Sequence, residues 1–267
     1  MTASRPVTVI TGASAGIGAE LARVFARHGH ALVLLARRTE RLETLAAEIA
    51  ASGAPPPLVV TCDLLAPGAV EQLAQTLQQE GVEPQYLVNN AGFGLVGQAA
   101  RLSRDEQLAM IDLNVRVLTE LSLRFAETVA RHRGGILNVA SMAAFVPGPG
   151  MAVYYASKAY VLSFSEALSA ELKPLGVRVT ALCPGPVPTE FAARAGVTRK
   201  TQPGPVSMPA DVVAEAGYRG LMAGRRRVIP GARLKLLRCV IALVPTSVLL
   251  AAVSFRQRRR LARQGQK

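Results

Sequence analysis

Apolar and polar positions along this chain follow two rhythms in turn. Short runs rich in Val, Ile and Leu, near 7–11, 31–36, 58–62, 85–89, 135–141, 177–183 and 226–230, read as strands. Between them lie longer stretches with apolar residues at helical spacing. Leu21, Val24 and Phe25 stripe the first of these, which runs to His28. Such alternation predicts a single α/β domain over residues 1–231, a doubly wound, seven-stranded parallel sheet with helices on both faces. No internal repeat interrupts it, and Ala54-Pro55-Pro56-Pro57 reads as a stiff loop before the third strand. Residues 232–267 form a separate basic and apolar tail.

Chemistry enters at the ends of these strands. The first strand runs directly into Thr11-Gly12-Ala13-Ser14-Ala15-Gly16-Ile17-Gly18 and a helix. Glycines between strand and helix let the backbone turn tightly and approach a pyrophosphate, which then sits at a positive helix N-terminus. The spacing is Gly-x-x-x-Gly-x-Gly, not the general Gly-x-Gly-x-x-Gly. Further on, Val88-Asn89-Asn90-Ala91-Gly92 closes a strand, Asn114 lies within a long helical segment, and Ser141 ends another strand. Tyr154 and Lys158 follow four residues apart, and so share one helix face. A lysine cation about 4 Å from a phenol, at an effective dielectric of about 20, favours the phenolate by roughly 4 kcal/mol, or about three pKa units. That would bring the phenol within reach of neutral pH. Tyr155 lacks a lysine four residues on and reads as packing, and Ser157 as structural.

Together with Pro184-Gly185-Pro186-Val187-Pro188-Thr189 after the sixth strand, these landmarks resemble the short-chain dehydrogenase/reductase family, from about Val7 to Gly231. The resemblance implies a Rossmann-like fold and an oxidoreductase moving hydride between a nicotinamide and a carbonyl or secondary alcohol. It implies Tyr154 as general acid, Ser141 positioning the substrate oxygen, Lys158 on the nicotinamide ribose, and Asn114 holding a water for proton resupply. It places Gly12, Ser14, Ala15, Gly16, Ile17 and Gly18 at the pyrophosphate, and Asp63 and Leu64 beside the adenine. Asn90, Ala91 and Gly92 would pass beneath the adenine ribose, while Pro184, Gly185, Val187 and Thr189 would cover the nicotinamide. A homo-oligomer, dimer or tetramer, is the expected assembly. The second strand ends in Leu35-Ala36-Arg37-Arg38, without the carboxylate that would bind a free ribose 2′-hydroxyl. Arg37 and Arg38 instead suit a 2′-phosphate, which favours NADP(H) over NAD(H).

For the substrate, Phe93, Leu95, Phe145, Val146, Pro147 and Phe191 follow the motifs and suggest an apolar pocket, although each could equally fill the core. The Pro- and Gly-rich stretch 186–209 reads as a lid. A lipophilic ketone or aldehyde, or a 3-oxoacyl chain, would suit such a site. A cofactor-binding sensor or scaffold without turnover is the alternative.

Composition narrows the picture further. Of 267 residues half are hydrophobic and 18% charged, as expected for a globular chain and not a disordered one. The net charge of +13 would attract anionic acyl carriers or simply aid solubility, and no nucleic-acid motif accompanies it. Cys62, Cys183 and Cys239 lie far apart, which argues for apolar packing, against disulfides or a metal, and for a reducing cytoplasm. His28, His30 and His132 fall at helix ends or turns, and no signal peptide is evident. In the tail, Cys239 to Phe255 carries no charge and is followed by Arg256, Arg258, Arg259 and Arg260. Leu237, Val240, Ile241 and Val244, then Leu249, Ala252 and Val253, suggest two short amphipathic helices broken at Pro245. They would pack on the domain or a subunit, lie on an anionic membrane surface, or span it.

Overall fold

The computed structural model describes residues 4–191, 195, 207–251 and 253–255. Seven strands form one sheet: β1 (Arg5–Thr11), β2 (Leu32–Ala36), β3 (Leu58–Thr61), β4 (Val82–Asn89), β5 (Gly135–Val139), β6 (Arg178–Leu182) and β7 (Arg227–Val228). Their order is β3-β2-β1-β4-β5-β6-β7, with every pairing parallel. The order reverses between β1 and β4, and a crevice opens beyond the carboxyl ends of those two strands.

Strand side chains alternate between two apolar layers, which is why both faces carry helices. Ile10, Leu34, Val88, Leu137 and Leu182 point to one layer. There they meet α1 (Gly16–Arg27), α2 (Thr39–Ala51) and α7 (Ala210–Met222) through Phe25, Leu42 and Leu221. Val9, Val33, Leu87, Ile136 and Val179 point to the other. They pack on α3 (Ala69–Gln79), α5 (Leu118–Arg131) and α6 (Ala152–Leu172) through Leu73, Phe125 and Leu168.

Most strand boundaries differ from the sequence pattern by one or two residues. The larger difference is β4, which begins at Val82 and passes through Pro84. Proline has no N–H to give the ladder, and the register against β1 shifts there, between Val7 and Thr8. The expected long helix around Asn114 is also interrupted. Between α4 (Arg104–Ile111) and α5, residues Asp112–Val117 form a π-helical turn. His28 and His132 cap the C-termini of α1 and α5.

In the tail, α8 (Ala232–Leu243) begins after Gly231, whose φ of 83° suits glycine. Helical structure resumes beyond Pro245 over residues 246–251, so the break falls at the proline. Among the described residues no helix is long and apolar enough to cross a membrane. Cys62 is half-buried and Cys183 buried, but Cys239 is exposed on α8, contrary to the packing expected of it.

Candidate active site

Three glycines shape the turn after β1, each for its own steric reason. Gly12 has φ 66°, and a Cβ there would come within 2.9 Å of the Asn90 amide nitrogen. Gly16 has φ 58° and faces the Thr189 methyl, 3.0 Å from where its Cβ would be. A Cβ on Gly18 would collide with the Gly12 carbonyl and the Asn90 side chain. Asn90 Nδ2 donates to the carbonyls of Thr11 (2.9 Å) and Gly12 (3.2 Å), tying the β4 end to the turn. Thr11 completes the tie: its hydroxyl donates to Val88 O and accepts from the N–H groups of Asn90 and Ala91, both at 3.0 Å. Its role is invisible in the sequence, where a buried threonine at a strand end is an ordinary β-former.

At the other side of the crevice, four polar residues converge from three elements. Asn114 sits on the π turn, fully buried; its Oδ1 accepts from Phe93 N (3.1 Å) and its Nδ2 donates to Phe93 O (2.9 Å) and Ser157 Oγ (3.1 Å). Both amide hydrogens of that side chain are thus committed to protein partners, and its oxygen already accepts one hydrogen bond. Ser157 in turn donates to Tyr154 O at 2.7 Å, which bears out its structural reading. Gly92 is required here, because a Cβ would lie 2.7 Å from Asn114 Oδ1. Ser141 follows β5, and its Oγ accepts from Ala143 N at 3.1 Å. On α6, Lys158 Nζ donates to Val139 O at 2.8 Å, so two of its three N–H donors are left for other partners.

The electrostatics differ from the sequence expectation. Burial pushes the Tyr154 phenol up to about 12, against a lowering hydrogen bond from Ser141. Burial also pulls Lys158 down to about 8. The lysine nitrogen stands 6.0 Å from the tyrosine ring centroid. Sequence spacing places the pair on one face but says nothing of burial, and desolvation penalises the charged form of both groups. Tyr154 is therefore a protonated donor at neutral pH.

The residues expected on the adenine side gather at the opposite end. Asp63 Oδ1 accepts from Leu65 N (3.1 Å), shaping the turn after β3. Arg37 is exposed and pairs with no carboxylate among the described residues. Arg38 donates to Ser14 Oγ (3.1 Å) and to Glu190 (2.7 Å), and Arg41 also pairs with Glu190. The two arginines hold that carboxyl below its usual range.

Most of these positions line one continuous cleft of about 1000 Å³. Of the expected site residues, Gly18 and Asn114 alone lie outside its lining, directly behind it. A nicotinamide dinucleotide fits the arrangement. The glycine turn leaves no room for side chains, Arg37 lines the cleft at the β2 end without a carboxylate partner among the described residues, and the Lys158 donors face the crevice. The apolar candidates divide. Val146 and Phe191 line the cleft, but Phe93 and Leu95 pack beneath Tyr154 with Met110. Phe145 lies under the guanidinium groups of Arg227 and Arg238, and Pro147 is exposed. Residues 192–194 and 196–206 of the expected lid lie outside the described residues.

Sequence reading missed the far wall of the cleft. Leu234, Leu237 and Ile241 of α8, with Leu249 and Val253 beyond the proline, close it against Met142 and Tyr155. Val240, expected on their face, is exposed, because it lies 100° around the helix from Ile241. Ala252 lies outside the described residues.

Residues 6–200 match the family of short chain dehydrogenases. The chain belongs to that family. It is an oxidoreductase that acts on an alcohol or carbonyl group with a nicotinamide cofactor. It is 40% identical over 185 residues to a sulfoacetaldehyde reductase of Chromohalobacter salexigens, across 68% of this chain and 72% of that one. Among solved structures it resembles a short-chain dehydrogenase from Sphingobium yanoikuyae in complex with NADPH. That likeness has TM-score 0.78 and 32% identity, over 90% of this chain and 96% of that one. It also resembles a bulky-bulky ketone specific alcohol dehydrogenase from Comamonas testosteroni, with TM-score 0.74 and 28% identity, over 91% and 96% of the two chains.

Proposed function

We propose that the protein is an NADPH-dependent reductase of lipophilic carbonyl compounds, a bulky ketone, an aldehyde or a 3-oxoacyl chain. The observation that carries this reading is a single cleft with Arg37 at one end, aliphatic side chains of the tail at the other and Tyr154 between them. When bound, the nicotinamide dinucleotide supplies hydride to the carbonyl carbon. Tyr154 Oη gives its proton to the carbonyl oxygen, where negative charge develops. Ser141 Oγ hydrogen-bonds the same oxygen and fixes its direction. Lys158, anchored on Val139 O, turns its remaining donors to ribose hydroxyls and sets a positive field beside the phenol. Asn114 positions the loop at Phe93 and, through Ser157, the first turn of α6 that carries Tyr154. Arg37 and Arg38 take the 2′-phosphate, and the absence of a carboxylate at the β2 end supports that choice. The convergence of Ser141, Tyr154 and Lys158 on one crevice, with Asn114 behind it, favours turnover over a silent sensor.

Steady-state oxidation of NADPH and NADH against ketones, aldehydes and 3-oxoacyl thioesters tests the proposal. Tyr154→Phe should lower kcat by about 1000-fold while NADPH binding, titrated by fluorescence, stays within about twofold. Arg37→Ala should raise the KM for NADPH by roughly tenfold or more and leave that for NADH unchanged. A wild-type preference for NADH would overturn the cofactor assignment, and near-normal turnover by the phenylalanine variant would overturn the mechanism.

A further inference from the structure

Charge and exposed apolar surface are both concentrated at one end of this chain. All 18 aspartates and glutamates lie at or before Glu215, and the 18 lysines and arginines of that stretch balance them. The 13 cations from Arg219 to Lys267 therefore carry the whole net charge of +13, with no acidic residue among them. Seven of the thirteen large hydrophobic side chains exposed among the described residues fall within 236–255 of that same segment.

The helix α8 is apolar on two sides. Leu234, Leu237 and Ile241 face the cleft. Leu236, Val240 and Leu243 recur at positions i, i+4 and i+7 and form the outward stripe, with Leu243 86% exposed. Val248 and Phe255 add exposed apolar surface beyond Pro245. An outward stripe of this kind marks a docking surface. Charge complementarity selects its occupant. Aliphatic side chains flanked by arginine and lysine suit the boundary between anionic lipid headgroups and acyl chains. A second copy of the tail would bring two wholly cationic segments together with no carboxylate to separate them, which opposes self-association through this face.

We propose that the tail seats the enzyme on an anionic bilayer surface. The outer stripe of α8 enters the lipid boundary while its inner side serves as a wall of the cleft. Apolar carbonyl compounds held in the bilayer thereby reach Tyr154 without crossing bulk water; this last point rests on the reductase reading, and the docking itself does not.

Co-sedimentation of the full chain with vesicles is the test, using phosphatidylcholine alone and phosphatidylcholine mixed with phosphatidylglycerol. Binding should be at least roughly tenfold stronger to the anionic vesicles and should fall steeply as salt is raised. The double substitution Leu243→Asp, Val248→Asp touches no cleft residue. It should lower vesicle binding by roughly tenfold or more and leave reduction of a water-soluble ketone unchanged. Equal binding to both vesicle types, no binding, or undiminished binding by the double variant would each overturn the proposal. A dimer in sedimentation velocity that the double variant dissociates, in a chain indifferent to vesicles, would assign the stripe to a second copy instead. Sedimentation is read without substrate, so failure to reduce any carbonyl would overturn the reductase reading and leave vesicle binding as independent support for docking.

Discussion

The two ends of the cleft are built by different means. At the dinucleotide end the determinants are backbone conformation and close approach: Gly12 and Gly16 at positive φ, Gly18 against a carbonyl, and Asn90 and Thr11 stitching β1 to β4. At the apolar end they are the bulk and reach of aliphatic side chains, brought together from α8 and the segment after Pro245. A wall fixed by backbone sterics tolerates almost no substitution, whereas one made of Leu, Ile and Val can be resized a methyl group at a time. Ligand chemistry would thus be held constant at one end and free to vary at the other.

That contrast can be broken or sharpened by substitution. The largest effect should come from Gly18→Ala, whose Cβ has no space between the Gly12 carbonyl and Asn90. We expect about 3 kcal/mol of lost stability in thermal unfolding, and cofactor binding weakened by roughly 100-fold. Unchanged binding would mean that the turn is not sterically set. Next is the boundary between the ends, at Lys158. Its pKa is lowered from 10.5 to about 8 by burial, so it is charged below that pH and the reduction rate should fall as pH rises through about 8. The linkage has the opposite sign. Between about 8 and 10.5 the unfolded chain holds the proton that the folded chain has lost, so stability rises with pH across that window. Lys158→Met should abolish turnover, stabilise the protein at neutral pH by about 2 kcal/mol, and remove that rise. Melting curves from pH 7 to 10 would show it. The smallest effect should come from Ile241→Ala, which enlarges the apolar end. A few-fold change in KM for bulky ketones is expected, with the NADPH constant untouched; an equal change in both would mean the two ends are not separable.

The same contrast explains what the sequence disclosed. The sheet was legible because each strand alternates between two buried layers, and the glycine turn because only glycine meets its steric demands. Tyr154, Lys158, Ser141 and Asn114 could be picked out because their order and spacing have few other uses. Thr11 was not, since its hydroxyl acts through three backbone partners that spacing cannot reveal. The tail was read as two short amphipathic helices broken at Pro245, and the break falls there, although Val240 leaves the expected face. Yet Leu237 and Ile241 have the same pattern whether they meet a core, a cleft or a bilayer, and periodicity names a side without naming its neighbour. The pKa of Tyr154 failed for a related reason: distance to a cation can be guessed from spacing, but exclusion of water cannot.

Glu190 has a consequence of its own. Its carboxylate already bridges Arg38 and Arg41 at the mouth of the adenine end. On the NADPH reading, a phosphate drawn to Arg38 would have to trade places with an anion carried by the protein itself. Release would then be assisted as much as capture, because the departing group would leave behind arginines with a ready substitute.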